Sequence, residues 1–153
     1  MARNWAITIG INEYSYLQSL KYAKQDAEAM KKWFEKKGGF DRVFLFTDNS
    51  PPISAQPSPI LTRPTYLSLM NFLQRQFETP LLNSGDNLWF FFVGHGLRYQ
   101  DRDYLMLSDS DPGDLEHTAI PIIYVAERLR RSGADNILLF IDACRFQGSR
   151  GGM

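Results

Sequence analysis

The chain has 153 residues, of which 44% are hydrophobic and 22% are charged, and its 17 basic residues balance 17 acidic ones. This length suits one domain with a substantial core, and the balanced charge creates no overall field that would attract nucleic acid or an anionic membrane. The single cysteine excludes an internal disulfide, and the first residues lack the apolar stretch of a secretory signal. No apolar run approaches the roughly 20 residues that span a bilayer. We therefore expect a cytoplasmic protein that binds neither nucleic acid nor membranes.

Four short apolar runs predict strands, at residues 5–11, 42–47, 87–93 and 136–143. The runs are almost continuously apolar, which is typical of strands covered by helices on both faces. Residues 97–107 place apolar and aromatic positions on either side of a polar tip, a pattern that predicts a hairpin.

Helical patterns separate these strands. Between residues 20 and 38, apolar positions recur three to four residues apart: Leu20, Ala23, Ala27, Met30 and the pair Trp33 and Phe34. Residues 64–77 and 121–133 have similar stripes, whereas the five prolines of residues 47–64 predict a long, mobile loop. The alternation of strand and helix predicts an α/β fold, a three-layer sandwich with a mainly parallel sheet.

Two residues with catalytic chemistry follow the third and fourth strands. His95 lies between Gly94 and Gly96, and Cys144 follows the last apolar run. Because the carboxyl ends of parallel strands meet at one edge, with neighbouring strands about 4.8 Å apart, we expect the two side chains to lie close together. An imidazole can take the proton of a thiol and so activate it as a nucleophile. The N–H groups of Gly96 and Cys144 are the expected oxyanion hole.

The same residues also have less specific interpretations. A lone cysteine at the end of a core strand is often a small buried apolar residue, and a histidine between glycines is often an ordinary loop residue. The equivalent positions of the only cysteine and one of the two histidines favour catalysis. His117 precedes a predicted helix, and we expect it to be a solvated residue of the capping region.

On these residues the chain resembles the caspase-like cysteine peptidases, and most of all their metacaspase and orthocaspase branch. His95 precedes Cys144 by 144 − 95 = 49 positions, and "DAC" stands where caspases have "QAC". The stretches "WAITIGINEY", "LKYAKQDAEAM", "FFFVGHG" and "DYLMLSDSDPGD" resemble the family's first strand, the helix after it, its histidine strand and the segment that follows. The resemblance implies a caspase-like fold in which residues 1–153 form the large portion of the catalytic domain. It also implies a small subunit, of two further strands, that is absent from this chain.

The resemblance further implies cleavage after Arg or Lys in a peptide or protein substrate, because metacaspases select basic residues with acidic ones. Asp142 and Asp26 match the two acids of that pocket. Asp26 also falls three residues after Ala23 and four before Met30, on the predicted inward stripe of its helix, where a carboxylate is costly without a cationic partner. Purely structural roles are the alternative: backbone N–H groups could satisfy Asp142, and the helix dipole could favour Asp26.

The implied reaction is acyl transfer by a Cys144 and His95 dyad, for which no cofactor is expected. Asp109, Asp111 and Asp114 lack the spacing of a calcium-binding loop, so we expect turn-forming acids and no metal site. Arg150 followed by Gly151 is an expected site of self-processing.

Two other classes of protein share some of these features. A catalytically idle caspase-like module that binds partners is the main alternative, although both dyad residues are present. A phospho-accepting receiver domain would need an acidic pair after the first strand, where only Glu13 is found.

Overall fold

The computed structural model describes residues 1–145, so the Arg150–Gly151 pair lies outside the described residues. Within that range the chain forms six strands and four helices. In chain order these are β1 (Asn4–Gly10), α1 (Ala23–Lys36), β2 (Arg42–Thr47), α2 (Tyr66–Gln76), β3 (Asn87–Tyr99), β4 (Arg102–Met106), α3 (Leu115–Thr118), β5 (Ala119–Pro121), α4 (Ile122–Arg130) and β6 (Asn136–Arg145).

Strand β3 is the centre of a mixed, mostly parallel sheet. It pairs in parallel with β1 on one side and with β6 on the other, and β2 extends the parallel part beyond β1. The far end of β3 pairs with β4 in antiparallel fashion, and β5 adds to β4. The predicted hairpin is the β3–β4 connection, whose two turn residues, Gln100 and Asp101, have φ of 50° and 62°, as a tight two-residue hairpin turn requires.

Helices lie on both faces of the sheet, which confirms the predicted three-layer α/β architecture. On one face Ile7 and Ile9 belong to the main apolar core, together with residues of α2 and α4. On the other face α1 packs so closely that a Cβ added to Gly10 would lie 2.2 Å from the carbonyl oxygen of Ala23. Helix α2 begins where the Thr65 hydroxyl accepts a hydrogen bond from Ser68 N, 3.2 Å away.

Strand β6 differs from the prediction that every strand is covered on both faces. Ile137, Leu139 and Ile141 pack against the main core, but the alternate side chains Leu138 and Phe140 are 42% and 45% exposed. The physical reason is that α1 lies over β1, β2 and β3 and leaves this face of β6 open. Among residues 1–145, no strand pairs with the outer edge of β6.

The proline-rich segment between β2 and α2 has an ordered base. Ile53 and Ile60 exchange two backbone hydrogen bonds of 2.9 and 2.8 Å. The buried Thr62 hydroxyl lies 2.8 Å from Ser50 Oγ and also reaches the carbonyl of Ser50.

The three-residue strand β5 has no counterpart among the predicted strands. In the part of the chain that the structure describes, no helix is long and apolar enough to cross a membrane.

Candidate active site

His95 and Cys144 are direct partners in the parallel ladder between β3 and β6. Residues paired in this way point their side chains to the same face of the sheet, so the imidazole and the thiol leave it together. It is the face of α1, since Val93, two residues before His95, pairs with Gly10 beneath that helix. His95 is only 7% exposed, whereas Cys144 is an exposed free thiol. The sulfur is therefore accessible from solvent beside a largely buried imidazole.

The imidazole of His95 is oriented by a backbone carbonyl. Its Nε2 lies 2.7 Å from the carbonyl oxygen of Gln18. A carbonyl oxygen can only accept, so this contact requires the hydrogen on Nε2. The other ring atom, Nδ1, is buried and has no hydrogen-bond partner among the described residues. In the neutral ring Nδ1 therefore has a free lone pair that can accept a proton.

The side chain of Tyr14 also contacts His95. Its hydroxyl oxygen accepts a hydrogen bond of 2.9 Å from His95 N, and the two rings meet edge to face with centroids 4.7 Å apart. Burial raises the pKa of Tyr14 well above its ordinary value, and negative charge on Asp48 and Cys144 raises it further against the lowering effect of the His95 N–H bond. The Tyr14 hydroxyl thus stays protonated and uncharged beside the imidazole at physiological pH.

Both contacts to His95 come from the segment between β1 and α1. Asp48, just after β2, holds the start of this segment by accepting hydrogen bonds from Asn12 N at 3.1 Å and Glu13 N at 2.8 Å. The segment then folds back, so that Leu20 N donates to the carbonyl of Asn12 at 2.8 Å. Sequence analysis gave no role to Tyr14, Gln18 or Asp48. Tyr14 ends a stretch that resembles the family, but the irregular segment has no periodic pattern that would single out a residue, and Asp48 lies apart from it, after β2.

The expected oxyanion donors lie within the strand pairing. Ile11 N donates to Val93 O, and His95 N donates to Tyr14, both on the side of β3 away from β6. Backbone groups alternate along a strand, so the N–H of Gly96 points toward β6. The pairing of β3 with β6 continues through Gly96 and Arg145. For the N–H groups of Gly96 and Cys144 to receive an oxyanion, the two strands must separate beyond Ala143.

Asp142 and Asp26 both lie at the carboxyl edge of the sheet. Asp142 is exposed and, two residues before Cys144, points to the same face as the thiol. Asp26 is in the first turn of α1, next to Ala27, which packs against Gly10. Val93 pairs with both Gly10 and Asp142, so Asp142 and the helical turn that carries Asp26 lie over the same row of the sheet.

The prediction that Asp26 lies on the buried stripe of its helix is wrong. The buried residues of α1 are Ala23, Ala27 and Phe34, and Asp26 is exposed. At 100° per residue, Asp26 lies about 80° around the helix from the middle of that stripe, so its carboxylate has no burial cost to offset. Its membership of a pocket therefore depends on position at the sheet edge and on the family resemblance, not on burial.

The acids after β4 make structural hydrogen bonds. Asp109 accepts from the N–H of the first residue of α2 at 2.9 Å, and Asp111 accepts from Gly113 N at 2.8 Å. Asp114 lies 2.9 Å from Nδ1 of His117, whose exposed side chain is the solvated residue that the sequence predicts. Of these contacts, the bond from Gly113 N to Asp111 is a turn contact of the kind expected for the three acids.

Comparison with known proteins agrees with this geometry. A family model described as the caspase domain of peptidases matches residues 3–153. A probable protease from a Desulfuromonadales bacterium is 28% identical over 153 aligned positions, which cover 94% of this chain and 18% of that protein. The chain thus spans less than a fifth of the length of this relative. With a mostly parallel sheet between helices and the family match over nearly all of its residues, the chain belongs to the caspase domain family of peptidases.

Proposed function

We propose that this chain is the catalytic portion of a cysteine endopeptidase, with Cys144 as the nucleophile and His95 as the proton-transfer residue. One observation supports this most strongly: an exposed thiol is the ladder partner of a histidine whose Nδ1 is buried and unpartnered. A histidine with a purely structural role would be expected to have both ring nitrogens satisfied, because an unpaired buried polar atom destabilises the fold.

In the proposed reaction Nδ1 of His95 takes the proton of Cys144, and the thiolate attacks the carbonyl carbon of the scissile peptide bond. The C–N bond then breaks as the imidazolium gives its proton to the leaving amine, which leaves a thioester on Cys144. Water hydrolyses the thioester with His95 as base, which releases the carboxylic acid and restores the thiol. The N–H groups of Gly96 and Cys144 are the proposed oxyanion donors, and no cofactor takes part.

The proposed specificity is for Arg, and next for Lys, before the scissile bond. Asp142 and the helical turn that carries Asp26 lie over the same row of the sheet, and two carboxylates can hold a guanidinium by charge and by paired hydrogen bonds. A substrate Asp at the same position would be repelled. Self-processing after Arg150 is part of the same proposal, since it is a basic residue followed by Gly151 near the nucleophile in sequence.

A small subunit completes the domain in this proposal. Leu138 and Phe140 are exposed on one face of β6, and among residues 1–145 no strand pairs with its outer edge. In the proposal a further strand and helix cover this surface. Because the proposed nucleophile must remain a free thiol, the proposal places the enzyme in a reducing compartment such as the cytoplasm.

The dyad is tested by covalent labelling. Iodoacetamide and an arginyl chloromethylketone should label Cys144 in the native protein, and His95→Ala should reduce the labelling rate at neutral pH about tenfold or more. Cys144→Ala, which has no thiol to label, is the negative control. A wild-type thiol that reacts no faster than free cysteine, with or without His95, would contradict the dyad.

The specificity is tested with matched acid variants on a peptide library. Asp26→Asn and Asp142→Asn should each lower kcat/KM for Arg substrates about tenfold or more, since each removes one charged contact to the guanidinium. Asp101→Asn, at a fully exposed position of the β3–β4 turn, is the control and should leave kcat/KM unchanged. A wild-type preference for Asp before the scissile bond would contradict the assignment of the pocket.

A catalytically idle, partner-binding module is the second candidate. The observation that favours it is the direction of the Gly96 N–H, which points into the pairing with β6. An idle module would bind partners but show neither accelerated labelling of Cys144 nor turnover of any basic substrate.

A further inference from the structure

Strand β3 has a gap in its pairing at the site of His95. On the side away from β6, pairing with β1 ends at Val93, and pairing with β4 begins at Gly96. The backbone N–H of His95 lies in this gap, where no strand within residues 1–145 accepts it. The hydroxyl of Tyr14 fills the position of the missing strand and accepts the N–H at 2.9 Å. The Tyr14 side chain thus accepts a backbone hydrogen bond that a neighbouring strand accepts elsewhere in the sheet.

The fit of Tyr14 in this gap is close. A Cβ added to Gly94 would lie 2.5 Å from the Tyr14 hydroxyl oxygen, so the hydroxyl reaches β3 because position 94 has no side chain. The ring of Tyr14 packs against the main core and meets the imidazole edge to face. On the other side of the imidazole, the Gln18 carbonyl holds Nε2 at 2.7 Å. Residues 14 and 18 of one segment therefore fix both the backbone and the ring of His95.

We propose that Tyr14 is a positioning residue that holds the imidazole of His95, the ladder partner of Cys144, in place through the hydrogen bond from the His95 backbone N–H and the contact with its ring. This inference rests on the proposed role of His95 as the partner of the thiol. The Tyr14 hydroxyl makes no hydrogen bond to Nδ1, which has no partner among the described residues. Tyr14 acts by limiting where the imidazole can be, and a misplacement of about 1 Å in a catalytic group can lower a rate about a hundredfold.

The test variant is Tyr14→Phe, which keeps the ring and removes only the hydroxyl. Tyr124→Phe is the matched control. Tyr124 is also partly buried against the main core, but it lies on α4, on the face of the sheet opposite the His95 side chain. For the active enzyme we expect Tyr14→Phe to lower kcat about tenfold or more with KM changed less than about twofold. We also expect the rate of Cys144 alkylation at neutral pH to fall about tenfold or more, since a misplaced imidazole takes the thiol proton less readily.

A spectroscopic measurement separates this inference from the proposed function. The chain has two histidines, so ¹⁵N-histidine labelling gives one signal set for His95 and one for His117 as an internal marker of folding. In Tyr14→Phe, the His95 amide should exchange about tenfold faster or more, and the share of the Nε2–H tautomer should fall, with His117 unchanged. Gly94→Ala, whose Cβ would displace the hydroxyl, should give the same signature and decides the matter if Tyr14→Phe does not fold.

The outcomes are distinct. An unchanged His95 tautomer, alkylation rate and kcat in Tyr14→Phe would overturn the positioning role. A wild-type Cys144 without enhanced reactivity, together with the predicted loss of the tautomer in Tyr14→Phe, would leave the contact intact but refute the peptidase.

Discussion

Gly10 lies directly beneath the first turn of α1, and a Cβ at this position would be 2.2 Å from the Ala23 carbonyl oxygen and 2.7 Å from the Ala27 Cβ. Neither neighbour is the flexible end of a side chain, so the helix must shift to admit a methyl group. We predict that Gly10→Ala lowers the free energy of unfolding by about 1–3 kcal/mol. Urea denaturation measures this effect.

The matched control for this prediction is Gly113→Ala. A Cβ at Gly113 would have its closest contact, 3.3 Å, with a side-chain oxygen of Asp111, which can move. We expect a change within about 0.5 kcal/mol there. Equal effects at the two glycines would mean that α1 is not packed on β1 as closely as the structure has it.

Cys144 should be essential for activity but not for folding. Because its side chain is exposed, Cys144→Ser should change the free energy of unfolding by less than about 0.5 kcal/mol. Peptidase activity should fall at least about a thousandfold, since serine beside His95 is a far weaker nucleophile than a thiolate. Thermal denaturation and turnover of an arginyl peptide measure the two effects. A large loss of stability would mean that the thiol is part of the core.

Asp86 should contribute to acid sensitivity. Its carboxylate accepts hydrogen bonds of 2.7 Å from both Arg3 N and Asn83 N and pairs with the Arg3 guanidinium. The Arg3 N–H bond, followed by the Asn83 N–H bond, holds the pKa of Asp86 below its usual 3.8. The stabilisation is therefore present above pH 3.8 and is lost as the pH falls through the lower native pKa. Asp86→Asn should destabilise the protein at pH 7 and progressively less toward pH 2, as measured by urea denaturation across that range.

His117 should show the opposite dependence. The hydrogen bond to Asp114, and then its negative charge, raise the pKa of His117 above the usual 6.5. The stabilisation from this pair is fully present below pH 6.5 and disappears as the pH rises through the native pKa. An NMR titration should find the midpoint of His117 above 6.5 in the wild type and lower in Asp114→Asn than in the wild type. An unchanged midpoint in the variant would show that the pair does not form in solution.

The alternation of strands and helices was predictable, because a continuous apolar run follows from a buried strand and apolar residues three to four apart follow from a helix with one buried face. The same logic placed His95 and Cys144 at neighbouring strand ends, and the structure makes them ladder partners. The inward stripe of α1 was only partly predictable. From spacing alone, Asp26 and Trp33 are predicted to be as buried as Ala23 and Phe34. In the structure Asp26 and Trp33 are exposed, because the helix packs on the sheet through the other two.

The surroundings of His95 were not predictable in the same way. Tyr14 and Gln18 act from an irregular segment, one through a hydroxyl and the other through a backbone carbonyl. A backbone carbonyl has no side-chain signature, since any residue at position 18 supplies one. The exposure of one face of β6 was also not predictable from the sequence. Leu138 and Phe140 are apolar, as in a strand covered on both faces, whether or not a neighbour covers them.

Among residues 1–145, β6 has an outer edge with no paired strand and an exposed apolar face, which affects how the chain behaves by itself. Unpaired backbone groups next to apolar side chains form a template on which a second molecule can add its own strand. The 153-residue chain should therefore self-associate with rising concentration, and Phe140→Lys should delay this by placing a charge on that face. In a cell, the same tendency to associate means that β6 must be covered soon after synthesis if aggregation of the newly made protein is to be avoided.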